Sequence, residues 1–248
     1  MAPADRDGLT EGPRAVTGRY CAIIPALNAG KTIAGLVRQA RAQGVDVVVI
    51  DDGSTDRTAA LAAAEGALVI SHLRNCGKGR ALRTGFEHAL RARYDGVLTL
   101  DGDGQHDPIE IPTLIRVGEA QHAGLVLGNR MGEGLAMPRV RRGTNRLMSR
   151  ILSGLARQDI PDSQCGFRFI RRELLDRLPL RSSRFEIESE VLLWAAAHRW
   201  KIVSVPVASI YRDHASHIHP VRDGLRFLLL LARFWLANAF QKGGQAGP

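Results

Sequence analysis

The amino-acid sequence predicts an α/β fold in which helices flank a mainly parallel central sheet. From residue 19 onward, short runs rich in β-branched residues or leucine alternate with alanine-rich stretches, which is the pattern of repeated strand–helix–strand units. Within DVVVIDD at 46–52, residues 47–50 form a continuous apolar run, as parallel strands buried on both faces require. The chain has 248 residues, 45% of them hydrophobic, which is enough for one large domain with a substantial core.

The first half of the chain is predicted to be the more regular part. Gly44 ends the first helix, and Pro108 lies near the first turn of the fourth, where a helix tolerates proline. The predicted elements are strand 20–26, helix 31–43, strand 46–52, helix 56–65, strand 67–71, helix 79–92, strand 96–100, helix 108–121 and strand 124–128. This order is typical of nucleotide-binding units, in which ligands lie at the carboxyl ends of the strands.

The second half is predicted to be less regular but to continue the same domain, because no low-complexity linker interrupts it. Pro206 marks the last strand as an edge or an end, since proline cannot donate a hydrogen bond to a neighbouring strand. The predicted elements are an arginine-rich helix at 138–156, a loop and short strand at 162–170, a helix at 184–199 and a strand at 201–207.

Three segments are expected along the chain. Residues 1–18 lack the apolar core of a signal peptide and are predicted to be a flexible leader. Residues 19–220 form the folded domain, and residues 221–248 form an amphipathic C-terminal helix and tail. No run reaches the 18 apolar residues that indicate a membrane span.

Charge and cysteine content limit the classes of partner. The formal net charge is +9 at pH 7, and only four of the 34 basic residues are lysine. Arginine suits phosphate recognition, and a genome biased toward arginine codons gives the same excess, so the charge favours anionic partners without selecting nucleic acid. The three cysteines form no CxxC pair, which indicates neither a disulfide framework nor a zinc site and fits a reducing cytosol.

Two motifs offer polar groups at predicted strand or helix ends. In VIDDGSTDRT (49–58), Asp51 and Asp52 follow a strand, where they either accept hydrogen bonds from a nucleobase or ribose or simply terminate the strand. In RNCGKGRALRTG (74–85), glycines flank Lys78 before a helix, which offers a cation and a helix N-terminus to an anion. A surface loop is the alternative there, and the spacing differs from that of a phosphate-binding P-loop.

The third motif is LTLDGDGQHDP (98–108). Asp101 and Asp103 lie two residues apart at a predicted strand end, with Gly102 between them allowing the chain to turn. Two hard oxygen ligands of this kind suit Mg²⁺ or Mn²⁺, which keeps positions open for substrate phosphates. Gln105 and His106 add polar groups, and an acidic turn without metal is the alternative.

Taken together, these motifs resemble glycosyltransferase family 2, in the branch that contains dolichyl-phosphate mannosyltransferase and bacterial polyprenyl-phosphate glycosyltransferases. The resemblance covers about residues 19–220 and rests on IIPALNAGKTI, VIDDGSTDRT, NCGKGRALRTG, TLDGDGQHDP, GNRM and DSQCGFRFIRREL, in the family's order and spacing. It implies a GT-A fold, a nucleotide-sugar donor such as GDP-mannose or a UDP-sugar, and Mg²⁺ or Mn²⁺ bridging the donor diphosphate.

The resemblance also implies roles for individual residues. Asp101 and Asp103 would hold the metal and the ribose, Gln105 would lie near the diphosphate, and Asp103, Gln105 and Asp162 are the candidate catalytic residues. Expected donor-binding residues are Pro25, Leu27, Asp51, Asp52, Lys78, Asp101, Gly102, Arg130 and Arg212. The chain departs from the family pattern at Ala29, where a glutamate is usual, and at His217, which follows Ser216 where enzymes with a lipid-phosphate acceptor carry a lysine after the serine.

The acceptor determines which further groups an inverting transfer needs. A sugar hydroxyl requires a positioned carboxylate as general base, and the candidates are Asp162, Glu186, Glu188 and Glu190. A lipid phosphate is already anionic and needs no base. We favour transfer to a polyprenyl phosphate; the alternatives are a saccharide or other hydroxyl acceptor, a sugar-phosphate nucleotidyltransferase, and a non-enzymatic membrane-associated partner.

The C-terminal segment bears on where the reaction occurs. Arg222, Arg226 and Arg233 fall near one stripe of a predicted helix that is otherwise rich in leucine and aromatic residues. The pattern predicts a helix in the membrane interface, hence a peripheral protein at the cytoplasmic face of the cell membrane. Packing onto the domain or in a homodimer explains the same pattern, and loss of liposome binding on deletion of 221–248 would separate the two.

Overall fold

The computed structural model describes residues 18–132, 139–184, 186–208, 227, 229–232 and 234. Seven strands form one sheet in the order β3-β2-β1-β4-β6-β5-β7. The strands are β1 (Tyr20–Ala26), β2 (Asp46–Asp51), β3 (Leu68–Ser71), β4 (Gly96–Thr99), β5 (Leu125–Asn129), β6 (Arg168–Arg171) and β7 (Ile202–Pro206). Neighbouring strands run parallel except at β6, which is antiparallel to both β4 and β5.

Helices follow most strands and cover both faces of the sheet. They are α1 (Ile33–Ala42), α2 (Thr58–Ala64), α3 (Lys78–Arg91), α4 (Ile111–Ala120), α5 (Arg139–Ala156), α6 (Arg172–Leu175) and α7 (Ile187–Ala197). A short 3₁₀ turn, Pro108–Glu110, precedes α4, and the Asp107 carboxylate caps it by accepting a hydrogen bond from the Ile109 amide.

Two apolar clusters, one on each face of the sheet, form the core. Buried side chains of α1 and α4, such as Leu36 and Leu114, pack on one face. Buried side chains of α3, α5 and α7, such as Phe86, Leu152 and Val191, pack on the other. Strand residues alternate between the clusters, as in Ala22 and Ile23 of β1, because successive strand side chains point to opposite faces.

The predicted α/β fold and the order of its first nine elements are confirmed. Pro206 closes β7, which is an edge strand, as predicted. The antiparallel insertion of β6 and the short helix α6 were not predicted, and the predicted helix 108–121 begins as the 3₁₀ turn.

Part of the C-terminal segment can also be placed. Residues 227, 229–232 and 234 are helical. Phe227 is buried in the second core cluster, and the Phe234 ring lies 5.6 Å from that of Trp194 in an edge-to-face contact. Arg222, Arg226 and Arg233, on which the predicted amphipathic stripe depends, lie outside the described residues.

Candidate active site

The carboxyl ends of β1, β2 and β4 bring three sequence motifs to one edge of the sheet. Ala26 pairs with Asp51, and β4 lies on the other side of β1. Pro25 is buried at the end of β1, and a Cβ atom at Gly102 would lie only 3.0 Å from its carbonyl oxygen. Leu27, just beyond β1, is 44% exposed. The strand-end loops therefore pack closely, with one apolar side chain open to a ligand.

Asp52 organises the loop that leads into α3. Its carboxylate accepts hydrogen bonds from the amides of Cys76 (2.9 Å) and Gly77 (2.8 Å), and His72 Nδ1 lies 2.7 Å from Oδ1. Asp52, His72 and Cys76 bring potential metal-ligand atoms within 4.8 Å of one another, but hydrogen bonds already engage both Asp52 oxygens. Asp52 thus fixes the loop 72–77, whereas the Asp51 carboxylate accepts from the Ser54 amide and shapes the preceding turn.

Lys78, the first residue of α3, bridges two carboxylates at the centre of this edge. Its Nζ lies 2.5 Å from Asp101 Oδ1 and 2.5 Å from Glu188 Oε1 of α7. Glu188 is buried, and its second oxygen, Oε2, has no hydrogen-bond partner among the described residues. The ammonium group thus joins β4, α3 and α7 where the sequence predicted an acidic cluster.

Opposite charge outweighs burial at this bridge. Burial alone would lower the pKa of Lys78, but Asp101 and Glu188 raise it above its ordinary value. Burial alone would raise the pKa of Asp101, but Lys78 and the nearby His106 hold it well below its ordinary range. Both groups are consequently ionised near neutral pH, and the site holds a carboxylate with a cation beside it.

Asp103 lies on the open side of the same loop. Its Oδ1 accepts a hydrogen bond from the Gln105 amide at 2.9 Å, and both residues are partly exposed. Lys78 engages Asp101 Oδ1, so Asp101 Oδ2 and the partly exposed Asp103 carboxylate are the hard oxygens that could bind a cation. The donor set therefore fits Mg²⁺ or Mn²⁺, which uses one or two carboxylates and leaves positions for water and phosphates.

His106 supports Asp101 from the interior. The imidazole is 2% exposed, and its Nε2 lies 3.6 Å from Asp101 Oδ2. Its ring packs against Phe167, with the centroids 5.5 Å apart, and Nδ1 has no partner among the described residues. The histidine that the sequence offered only as an additional polar group thus contacts the predicted metal ligand.

Arg130 and Asp162 form a buried, bidentate ion pair. Arg130 Nε donates to Asp162 Oδ2 at 2.8 Å and Nη2 donates to Oδ1 at 3.1 Å. Asn145 of α5 also donates to Oδ1 at 2.8 Å, and the Asp162 carboxylate is completely buried. Burial alone would raise the pKa of Asp162, but Arg130 and Asn145 lower it below its ordinary value.

Arg168 ties the loop after α5 to α7. Its guanidinium is buried and donates to three main-chain carbonyls, those of Ser163 (2.7 Å), Cys165 (2.8 Å) and Glu188 (2.6 Å). Burial lowers the pKa of Arg168 from its ordinary value. Because one of these carbonyls belongs to Glu188, Arg168 helps to place the carboxylate that binds Lys78.

The four carboxylates predicted as candidate bases differ in environment. Asp162 is held by Arg130, and Glu188 by Lys78. Glu190 is buried and accepts hydrogen bonds from the amides of Arg181 and Ser182. Glu186 is the partly exposed member of the set, at the N-terminus of α7. Three of the four are therefore engaged in fixing the scaffold.

We expect Gly166→Ala to disrupt the site while leaving the fold intact. A Cβ at residue 166 would lie 2.6 Å from Asp101 Oδ2, so the carboxylate or the loop must shift. A displacement of about 1 Å can reduce turnover about 100-fold, and overpacking costs about 1–3 kcal/mol of the free energy of unfolding. Steady-state assays and urea unfolding measure the two effects.

Gly35→Ala is the matched control for that substitution. A Cβ at Gly35 meets nothing within 4 Å, and alanine within α1 should raise the free energy of unfolding by about 0.5–1 kcal/mol without changing turnover. Wild-type turnover in Gly166→Ala would show that Asp101 does not need its present position.

The structure brings most predicted site residues to one edge. Arg212, Ser216 and His217 lie outside the described residues. Sequence reasoning missed His72, Asn145 and Arg168, and the only signal for His72 was its place directly after a strand, like that of Asp52. Among the described residues, no helix combines the length and apolar character needed to cross a membrane.

Comparison with known proteins assigns the family. The family model described as glycosyl transferase family 2 matches residues 21–178. The chain is 33% identical over 236 residues to polyprenol monophosphomannose synthase of Mycolicibacterium smegmatis, with 85% of this chain and 86% of that protein covered. It is 30% identical over 216 residues to UDP-N-acetylglucosamine–dolichyl-phosphate N-acetylglucosaminyltransferase of Methanococcus voltae, with 78% and 86% covered.

A solved structure shows the same fold. Glucosyl-3-phosphoglycerate synthase from Mycobacterium tuberculosis, crystallised with Mn²⁺, UDP and glucosyl-3-phosphoglycerate, matches with a TM-score of 0.68 at 23% identity, covering 88% of this chain and 80% of that one. The predicted GT-A fold and the predicted family resemblance are confirmed. The chain belongs to glycosyltransferase family 2 and is a glycosyltransferase.

Proposed function

We propose that the protein is an inverting, metal-dependent glycosyltransferase that moves a hexose from a nucleotide-sugar to a polyprenyl phosphate. The observation that carries this choice of acceptor is the state of the candidate bases. Three of the four candidates, Asp162, Glu188 and Glu190, are buried and bound to other groups. The fourth, Glu186, is partly exposed at the N-terminus of α7. A hydroxyl acceptor requires a positioned base, whereas a phosphate acceptor is already ionised, so this arrangement favours the phosphate.

The donor is proposed to lie along the carboxyl edge of β1, β2 and β4. Leu27 offers an exposed apolar surface to the base, with Asp51 and Asp52 behind it. Asp101 and Asp103 would hold Mg²⁺ or Mn²⁺. Bound there, the cation would supply Lewis-acid stabilisation of the diphosphate leaving group. Gln105 lies beside Asp103 and is proposed to contact the diphosphate.

Positive side chains of the scaffold have distinct proposed roles. Lys78 keeps Asp101 ionised and in place. Arg130, which directly follows β5 and is held in place by Asp162, is proposed to contact the donor phosphates. Arg212 is proposed to meet anionic groups of donor or acceptor. Asp162 is then a positioning residue for Arg130, since its occupied oxygens and lowered pKa make it a weak base.

Support for the acceptor class also comes from the relatives. The protein from Mycolicibacterium smegmatis is named for a polyprenol monophosphate product, and the one from Methanococcus voltae for a dolichyl-phosphate acceptor. A lipid acceptor requires contact with the membrane that contains it. We therefore propose peripheral attachment to the cytoplasmic face of the cell membrane.

Product analysis tests the proposal directly. The full chain is incubated with Mn²⁺ and, in turn, GDP-mannose, UDP-glucose and UDP-N-acetylglucosamine, with undecaprenyl phosphate in detergent as acceptor. We expect one donor to yield a glycosyl phospholipid with inverted anomeric configuration, together with released nucleoside diphosphate. Mass spectrometry and proton NMR of the product measure both.

Undecaprenol, which has the same chain without the phosphate, is the matched control and should remain unglycosylated. Transfer to a methyl glycoside but not to undecaprenyl phosphate would overturn the proposed acceptor. Release of pyrophosphate from a sugar phosphate and a nucleoside triphosphate would instead indicate a nucleotidyltransferase.

A further inference from the structure

An exposed apolar stripe runs along α5, outside the site described above. Leu147, Ile151 and Leu155 are 60%, 36% and 47% exposed. Their spacing of four residues places them on one side of the helix. Large exposed side chains are common singly, but a contiguous apolar strip on a helix indicates a surface that binds something.

Basic side chains border this stripe. Arg146 and Arg150, one residue before Leu147 and Ile151, are exposed on the neighbouring side of the helix, and α5 contains no acidic residue. At the C-terminal end the stripe meets a surface hollow lined by Leu155 and by the exposed basic residues Arg157, Arg199 and Lys201. The apolar strip and its cationic border complement a surface that is apolar within and anionic at its edge.

The inner side of the same helix contacts the candidate active site. Asn145 donates to the Asp162 carboxylate, and the hydroxyl of Ser149 accepts a hydrogen bond from the Ser163 amide. Leu152 is buried in the second core cluster. One helix therefore has the site on its inner side and the apolar stripe on its outer side.

The described part of the C-terminal helix packs most of its large apolar side chains against the domain, and only Leu229 among them is largely exposed, at 51%. Phe227 is buried, and Leu230, Leu231 and Phe234 pack against the second core cluster. These apolar side chains are used within the domain. Among the described residues, α5 presents three exposed apolar side chains in one row beside exposed arginines.

We infer that the outer side of α5, formed by Leu147, Ile151 and Leu155 with Arg146 and Arg150, docks the protein on an anionic lipid surface. The leucine and isoleucine side chains enter the boundary between headgroups and acyl chains, and the arginines contact lipid phosphates. This inference deepens the proposed function and rests on it for the identity of the acceptor, because a helix docked in this way holds the site next to the membrane containing a lipid phosphate.

Vesicle binding of the full chain measures the docking. We expect co-sedimentation with phosphatidylcholine–phosphatidylglycerol vesicles and much less with phosphatidylcholine alone. Leu147→Ser should reduce the partition coefficient about tenfold, the value of one buried leucine. Arg150→Glu should reduce it at least about fivefold, the contribution of one basic residue near an anionic surface.

Matched controls separate the stripe from general effects of apolarity and charge. Leu68→Ser alters a leucine that is 48% exposed at the other edge of the sheet, in β3. Arg116→Glu alters an exposed arginine on α4, which packs on the opposite face. Both controls should bind vesicles like the wild type. Equal losses in controls and stripe variants would overturn the inference.

A probe on the helix reports docking even if another segment also binds lipid. Cys76→Ser leaves only buried cysteines, so an environment-sensitive fluorophore can be attached specifically at Leu147→Cys or at Leu68→Cys. On anionic vesicles the emission maximum of the fluorophore at 147 should shift to shorter wavelength, and that of the fluorophore at 68 should not. An unchanged spectrum at 147 would overturn the inference. The inference would also be overturned if Leu147→Ser converted a dimer to a monomer and left vesicle binding unchanged. That result would assign the stripe to a homodimer interface.

The inference and the proposed function can fail separately. Leu147→Ser and Arg150→Glu should retain wild-type turnover with a short, water-soluble polyprenyl phosphate, because neither residue contacts the site. If the wild type binds vesicles through α5 but glycosylates no polyprenyl phosphate, the proposed acceptor is wrong and the docking surface stands.

Discussion

Replacement of Asp162 by alanine is expected to lower the free energy of unfolding by about 3–5 kcal/mol. The substitution removes the carboxylate that binds the buried Arg130 guanidinium in two places and the Asn145 amide in a third. Because the folded protein lowers the pKa of Asp162, its stabilising contribution is complete above the ordinary carboxyl pKa of about 4 and is lost as the pH falls. Urea unfolding at pH 7 and in mild acid measures both effects.

Asp159→Ala is the matched control for this prediction. Asp159 is exposed three residues away, and its loss should change the free energy of unfolding by no more than about 0.5 kcal/mol. A double-mutant cycle with Arg130→Met should show a coupling of at least about 1 kcal/mol. Additive effects of the two substitutions would contradict the ion pair as the source of the stability.

Replacement of Asp103 by asparagine is expected to reduce kcat/KM about 1,000-fold. In the proposed site Asp103 holds the metal, so its replacement would remove several kcal/mol of leaving-group stabilisation, and each factor of ten corresponds to about 1.4 kcal/mol. The substitution should not change the Tm of the metal-free protein, because Asp103 is partly exposed and its hydrogen bond is local. Calorimetry with Mn²⁺ and UDP or GDP should show that the variant has lost the metal-dependent rise in Tm.

Asp107→Asn controls for the loss of a carboxylate from the same loop. Asp107 caps the 3₁₀ turn by accepting from the Ile109 amide, and asparagine caps equally well. The control should keep both turnover and the metal-dependent rise in Tm. Retention of that rise in Asp103→Asn would remove Asp103 from the metal-ligand set.

The parts of the fold that depend on local pattern could be predicted from the sequence. The apolar run of β2 predicted a strand in the interior of the sheet, and Pro206 predicted an edge strand or a strand end. The position and direction of β6 could not be predicted from the sequence. Its four residues, Arg168–Arg171, pair with β4 and β5, which come from distant parts of the chain. Such pairing is decided by long-range contacts rather than by propensity.

The site shows the same division. Acids that follow parallel strands had to meet at one edge, so Asp51 and Asp101 could be expected near each other. The bridge from Lys78 to Glu188 joins α3 to α7, and no local spacing relates those helices. The Asn145 contact with Asp162 likewise depends on how α5 packs. The residues that hold the acids in place were therefore less predictable than the acids.

The placement of β6 also determines when the sheet can be completed during synthesis. Strands β1–β4 can pair as they leave the ribosome, but β5 has no neighbour until Arg168–Arg171 is made, because β6 lies between β4 and β5. Until then one edge of β4 is an unpaired template that invites pairing with other chains. Nascent chains that stop before β6 should consequently be the aggregation-prone species and the ones that depend on chaperones.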